Sequence, residues 1–217
     1  MPATVAAKSS AKRKRQDASG VSKKRTKTES DDEDGQQSRI LLLENEILES
    51  RKNYNNIGSL IEIAQSQDED LESAVVAAVS LCRVFIRLLA AGSLAKRKDL
   101  AEKDTLIMRW LRERLSDYQQ CLLSMLEKEG SALTALTLLM RLLKAVTHDL
   151  DGMESSVFPK TFFNDIVRSV LQPAVDDNVR TEFMDKFVEE YDDVRFHTFR
   201  AVRYASPGLY ISGCGLT

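Results

Sequence analysis

Apolar side chains recur every three or four residues over most of this chain, beginning near residue 38. Because this spacing places side chains on one stripe of an α-helix, it predicts long amphipathic helices. Ser38 has the residue type of an N-cap and is the expected start of the folded part. The apolar positions of the first segment are Ile40, Leu43, Ile47, Tyr54, Ile57, Ile61 and Ala64.

The same period continues beyond this segment, and strand-like alternation of apolar and polar residues is not evident. The segment from Leu133 to Val146 is apolar on more than one face, so we expect it at the centre of the fold. Gly92 follows the segment before it and is the expected stop of that helix. We predict an all-α body of six or seven helices over residues 38–205, built from antiparallel helical pairs as a HEAT/armadillo-like solenoid or an irregular bundle. The later segments lie at 71–89, 106–126, 133–146, 162–171, 179–188 and 194–202.

Residues 1–37 lack this pattern and are strongly charged. The formal charge of −2 is an average over a cationic beginning, an acidic patch and a nearly balanced remainder. A cationic stretch without large apolar side chains predicts a disordered tail. Paired basic clusters are typical of a nuclear localisation signal, although the same charges can contact RNA phosphates, and both roles can hold together. The clusters are Lys12, Arg13, Lys14 and Arg15, then Lys23, Lys24, Arg25 and Lys27.

An acidic run follows the basic clusters, and Ser30 precedes four of its carboxylates. Acidophilic kinases favour this context. Phosphorylation would add roughly −1.5 to −2 charge and let the segment compete with RNA for the basic clusters. The alternative interpretation is an acidic run that only increases solubility.

Three cysteines, Cys82, Cys121 and Cys214, are too far apart for a CxxC pair or a zinc-ligand spacing. The presence of only three cysteines, none in a paired motif, favours a reducing compartment. Cys82 and Cys121 fall on apolar stripes and are expected to be buried, inert thiols. Residues 1–7 are too few for a signal-peptide core, and we find no uninterrupted apolar run of about 18 residues, so the expectation is a soluble intracellular protein without a membrane span.

Groups able to support catalysis are sparse. The two histidines lie about fifty residues apart without a motif. His148, beside Asp149, is interpreted as part of a polar helix C-terminus, and His197 as part of a solvated acidic turn near Glu189 and Glu190. We find no phosphate-binding glycine loop and no GxSxG elbow. The expectation is a protein that is not an enzyme and uses no metal, cofactor or small-molecule substrate.

The segment EEYDDVRFHTFRAV at 189–202 resembles the nucleolar complex protein 4 family, a branch of the CCAAT-binding-factor superfamily. Three further stretches agree with it, and the resemblance spans about residues 40–202. These stretches are ILLLENEILESRKNYNNI at 40–57, WLRERLSDYQQCLLSML from Trp110, and FPKTFFNDIVRSVL from Phe158.

The resemblance implies a helical-repeat fold, a location in the nucleus and nucleolus, and a role in small (40S) subunit maturation, pre-rRNA processing and export. It also implies nucleolar protein 14 and other pre-ribosomal proteins as partners, and it offers no active site to transfer. Members are usually more than twice this long. The ending after Val202 departs from the helical pattern at 206–217, as a truncated product or a mispredicted exon boundary would.

The block Tyr191, Asp192, Asp193, Arg195 and Phe196 carries the resemblance most specifically. Two roles stay open for its charges. Arg195 can pair with Asp192 or Asp193 to fix a helix junction, which the close spacing favours, or the acids can meet a basic partner. The leading hypothesis is a non-catalytic assembly scaffold that also contacts pre-rRNA through its tail and an import receptor. A nuclear transcription or import adaptor is the alternative.

Overall fold

A computed structural model describes residues 29–95, 101–149 and 158–205, and within these ranges the regular elements are all helical. The all-α prediction is confirmed, but the described residues form eight α-helices where six or seven were predicted, because the chain breaks between Glu49 and Asn56, within the first predicted segment. A 3-10 turn, Arg51–Asn53, precedes α2, and a π-helical turn, Met184–Val188, follows α7. The α-helices are α1 (Glu29–Glu49), α2 (Asn56–Gln65), α3 (Leu71–Ala90), α4 (Glu102–Met125), α5 (Ala132–Asp149), α6 (Lys160–Val170), α7 (Asp177–Phe183) and α8 (Asp192–Ala205).

Helices α3 and α5 form the centre of the fold. α3 contacts α1, α2, α4 and α5, and α5 contacts α3, α4, α6 and α7. Eleven of the twenty residues of α3 are buried, among them Leu81, Val84 and Phe85. α3 is long and apolar enough to cross a membrane, but this degree of burial inside the fold is that of a core helix. The central position predicted for α5 is confirmed, and α3 shares it.

Helix α1 begins at Glu29, nine residues before the expected start at Ser38. Ser38 therefore lies inside the helix and is not its N-cap. The stretch 29–37 has no apolar residue, so apolar periodicity could not reveal it. A polar contact fastens this end of the helix to the core, because the Gln37 amide donates a hydrogen bond of 2.9 Å to the Glu72 carboxylate on α3.

The prediction that α3 ends at Gly92 is confirmed, because the helix spans Leu71–Ala90 and Gly92 follows its last turn. Gly92 has a φ of 67°, which a residue without a side chain adopts at little cost. The N–H of Gly92 bonds to the Leu89 carbonyl at 2.8 Å, and the N–H of Ser93 bonds to the Leu88 carbonyl at 3.0 Å. This pair of bonds is a Schellman motif, and it satisfies carbonyls that the helix end would otherwise leave free.

Helices α6 and α8 pack against each other near the C-terminal end of the described chain. α6 follows Pro159 at its N-cap and buries Phe163 and Ile166. α8 buries Val194, Thr198 and Ala201, which lie on one face because they are spaced by three or four residues. The opposite face of α8 is consequently open to solvent.

Candidate interaction surface

The block that carries the family resemblance lies where the π-helical turn meets α8. Arg195 forms an ion pair with Asp192, one helical turn away, and also donates to the Glu189 carbonyl at 3.4 Å. Of the two pairings considered from the sequence, the structure thus shows the one with Asp192. The Asp193 carboxylate accepts a bond of 2.8 Å from the N–H of Val194. Arg195 thus contacts both the first turn of α8 and the turn before it, and its role in fixing this junction stays a prediction, as does a partner-binding role for the acids.

A groove of about 450 Å³ runs between α5 and the beginning of α8. Tyr191, half exposed, and Asp193 stand on its α8 side. Three basic side chains, Arg141, Lys144 and His148, stand on its α5 side. Its remaining lining residues are Thr137, Met140, Leu143, Thr147, Phe158, Phe187 and Val194. The groove thus has an apolar floor, a rim that is basic on its α5 side and a carboxylate, Asp193, on its α8 side.

Phe196 points away from this groove to the exposed side of α8. It shares that side with Phe199, and the exposed fractions of the two residues are 62% and 66%. Val194, Phe199 and Val202 are the apolar positions of the predicted segment 194–202, but they do not share a buried face, because Val194 is buried whereas Phe199 and Val202 are exposed. The helical period identifies stripes but does not tell which stripe meets the core.

His197 lies in an aromatic cluster and not in the solvated acidic turn expected from the sequence. Its ring stacks on Phe158 with 3.9 Å between centroids and meets Phe163 edge-on at 6.4 Å. Desolvation by burial lowers the pKa of His197, and the positive charges of Lys160 and Arg200 lower it further. The lowered pKa favours the neutral ring at neutral pH.

The other candidate reactive groups are dispersed. His148 is exposed at the rim of the groove, whereas Cys82 and Cys121 are buried. Burial raises the pKa of both thiols, that of Cys121 to about 11, which keeps them protonated and unreactive. Among the residues that the structure describes, no three His, Cys, Asp or Glu side chains come together as a metal site. The groups that this surface exposes are mainly charged and aromatic.

The basic clusters at 12–15 and 23–27, Cys214 and the ending 206–217 lie outside the described residues. The backbone of Ser30 lies in the first turn of α1, whereas its side chain is not among the described ones. Their roles in import, RNA contact and phosphorylation remain predictions.

These features define an all-helical protein of packed helical pairs with a grooved, charged surface. The family described as nucleolar complex protein 4-like, TPR repeats, matches residues 28–206. The chain therefore belongs to the nucleolar complex protein 4-like family. The match names TPR repeats where a HEAT/armadillo-like solenoid or a bundle was expected, and TPR, HEAT and armadillo arrays all stack helical pairs.

Two curated relatives agree with the family. A Schizosaccharomyces pombe protein described as uncharacterised is 31% identical over 163 residues, covering 73% of this chain and 33% of its own length. Nucleolar complex protein 4 homolog B of Xenopus laevis is 28% identical over 166 residues, covering 70% of this chain and 31% of its own length. The chain thus spans about a third of the curated relatives it matches.

Proposed function

We propose that this chain is a non-catalytic scaffold of nucleolar ribosome assembly that acts in small (40S) subunit maturation, pre-rRNA processing and export. The observation that carries the proposal is the family match over 28–206, which takes in every α-helix of the described fold. The relative from Xenopus laevis is named as a nucleolar complex protein, which supports a nuclear and nucleolar location.

The surface supports a binding role for the proposed scaffold. Two candidate reactive or charged groups are accounted for within the fold, since Arg195 pairs with Asp192 and Cys121 is buried with a raised pKa. The groove between α5 and α8 combines an apolar floor with Arg141, Lys144 and His148. We propose this groove as the docking site for an acidic segment of a pre-ribosomal protein, with nucleolar protein 14 as the first candidate.

In this proposal the basic clusters at 12–15 and 23–27 bind the remaining partners. Eight cations in two groups fit an import receptor during transport and pre-rRNA phosphates afterwards. The competing assignment, a nuclear transcription or import adaptor, uses the same clusters but requires no pre-ribosomal particle.

Affinity purification of the tagged chain from growing cells tests the proposal. Recovery of nucleolar protein 14 with small-subunit pre-rRNA is expected, and an Arg141→Glu/Lys144→Glu variant should recover less of the protein partner. An Arg39→Glu/Lys103→Glu variant, which reverses two exposed charges far from the groove along the chain, is the matched control. Recovery of an import receptor without pre-rRNA would establish the adaptor and overturn the proposal.

A further inference from the structure

The exposed side of α8 carries two aromatic rings and two cations in one continuous strip. Phe196, Phe199, Arg200 and Arg203 occupy positions i, i+3, i+4 and i+7, which share one helix face. All four residues are exposed, and the two rings are more than 60% exposed. We call these four residues, together with Lys160 of α6, the ring and cation face.

A small cavity of about 130 Å³ lies beside this strip, between the first turn of α6 and the middle of α8. It is lined by Lys160, Asn164, His197 and Arg200. Lys160 and Arg200 both act electrostatically on His197, so the two cations converge on the cavity from different helices. Its volume suits one phosphate group, and its lining offers two positive charges and an amide.

Acidic residues are absent from the strip. The carboxylates of α8 stand in its first turn, at Asp192 and Asp193, and the segment 194–205 contains no Asp or Glu. Asp193 faces the groove on the α5 side, and Asp192 is paired with Arg195. The segment 194–205 therefore contributes cations and no carboxylates to this face.

We propose that the ring and cation face binds single-stranded RNA, with unpaired bases stacked on Phe196 and Phe199 and backbone phosphates held by Lys160, Arg200 and Arg203. Exposed rings beside cations are the combination that single-stranded nucleic acid requires, because each base has a face to stack and each nucleotide has a phosphate. An acidic peptide would use the cations without needing the rings. An apolar protein helix would use the rings but would meet Arg200 and Arg203 in the same strip.

This site is separate from the basic tail and is tested separately from the proposed function. The test uses the full chain with the eight cations of the basic clusters at 12–15 and 23–27 replaced by glutamine, so that these clusters no longer mask the helical site. The probe is a fluorescein-labelled oligouridylate of twelve nucleotides, followed by fluorescence anisotropy. Binding in vitro reports on the ring and cation face, whereas recovery of pre-ribosomal proteins from cells reports on the proposed function.

In this background, Phe196→Ala/Phe199→Ala is expected to weaken binding by about tenfold or more, since each stacked base contributes substantially. Lys160→Gln/Arg200→Gln should weaken it and also lower the salt dependence of binding. Leu41→Ala/Leu42→Ala removes two other exposed apolar side chains and is the matched control, expected to bind as the parent does. Circular dichroism establishes that each variant remains helical.

Three outcomes would overturn the proposal. The first is that the chain with the eight glutamine substitutions does not bind the oligonucleotide. The second is unchanged affinity after both ring substitutions. The third is unchanged RNA affinity combined with lost recovery of a protein partner from cells, which would assign the face to a protein.

Discussion

The carboxylate of Glu44 on α1 and the guanidinium of Arg83 on α3 form a two-point ion pair that ties the first helix to the core. Arg83 Nε donates to one Glu44 oxygen at 2.7 Å, and its Nη2 donates to the other. The same Nη2 contacts the Ser80 hydroxyl at 3.1 Å. The Glu44 side chain is only 8% exposed, so Arg83 compensates for the burial of its charge.

Arg83→Met should lower the free energy of unfolding by about 1–3 kcal/mol, because it leaves a buried carboxylate without its charged donor. Urea denaturation followed by circular dichroism measures the change. Arg168→Met removes one partner of an exposed ion pair with Asp165 and should cost less than about 1 kcal/mol. Equal losses of unfolding free energy in the two variants would show that the Glu44–Arg83 pair contributes no more than an exposed pair.

Acid should weaken the fold partly through Glu44. Burial alone would raise the pKa of this carboxyl, but the hydrogen bonds with Arg83 and Ser80 and the nearby positive charges outweigh it, so its pKa is lowered. A lowered folded-state pKa gives stability that is present above the unfolded value of roughly 4.3 and is lost as the pH falls through the folded value. The parent should therefore lose more stability between pH 6 and pH 3 than Glu44→Gln. Equal losses of stability in the parent and in Glu44→Gln, measured by urea denaturation, would show that Glu44 does not contribute to the acid sensitivity.

The thiols of Cys82 and Cys121 should resist alkylation in the folded protein. Both are buried, and burial raises the pKa of Cys121 to about 11. In a Cys214→Ser background at pH 7.5, iodoacetamide should label them only when urea unfolds the chain. Rapid labelling without urea would show that the core opens readily at α3 and α4. The same reaction in 6 M urea provides the control for reagent activity.

Charge reversal at Arg195 should have a small, measurable effect. The Arg195–Asp192 pair is exposed, with side-chain exposures of 45% and 90%, and exposed pairs contribute little. Arg195→Glu should lower the melting temperature by about 1–2 °C, corresponding to about 0.5 kcal/mol. Arg168→Glu, which reverses a similarly spaced exposed pair, should behave alike. No change at Arg195 would show that the pair does not brace α8, and a drop of 5 °C or more would show a larger structural role.

The fold was predictable where apolar residues repeat and less so elsewhere. Central packing of α5 followed from its apolar faces, and the end of α3 followed from Gly92, whose backbone conformation suits a residue without a side chain. The first nine residues of α1 carry no apolar side chain, so apolar periodicity could not predict their helix, and the contact of Gln37 with Glu72 depends on how α1 and α3 pack.

The candidate surface was less predictable than the fold. Sequence spacing suggested that Arg195 pairs with a nearby acid, because i,i+3 neighbours meet on a helix. Sequence spacing could not assign Phe199 to the exposed side of α8, because the spacing of apolar residues does not show which helix face packs against the core. The stacking of His197 on Phe158 joins residues 39 positions apart and depends on how α6 and α8 pack.

Sedimentation of the tagged chain from a nuclear extract tests the central claim most directly. If the helical body is a scaffold within pre-ribosomal particles, the chain should migrate with them in a sucrose gradient and move to light fractions after ribonuclease treatment. A chain found only in light fractions, with or without ribonuclease, would contradict the assembly role.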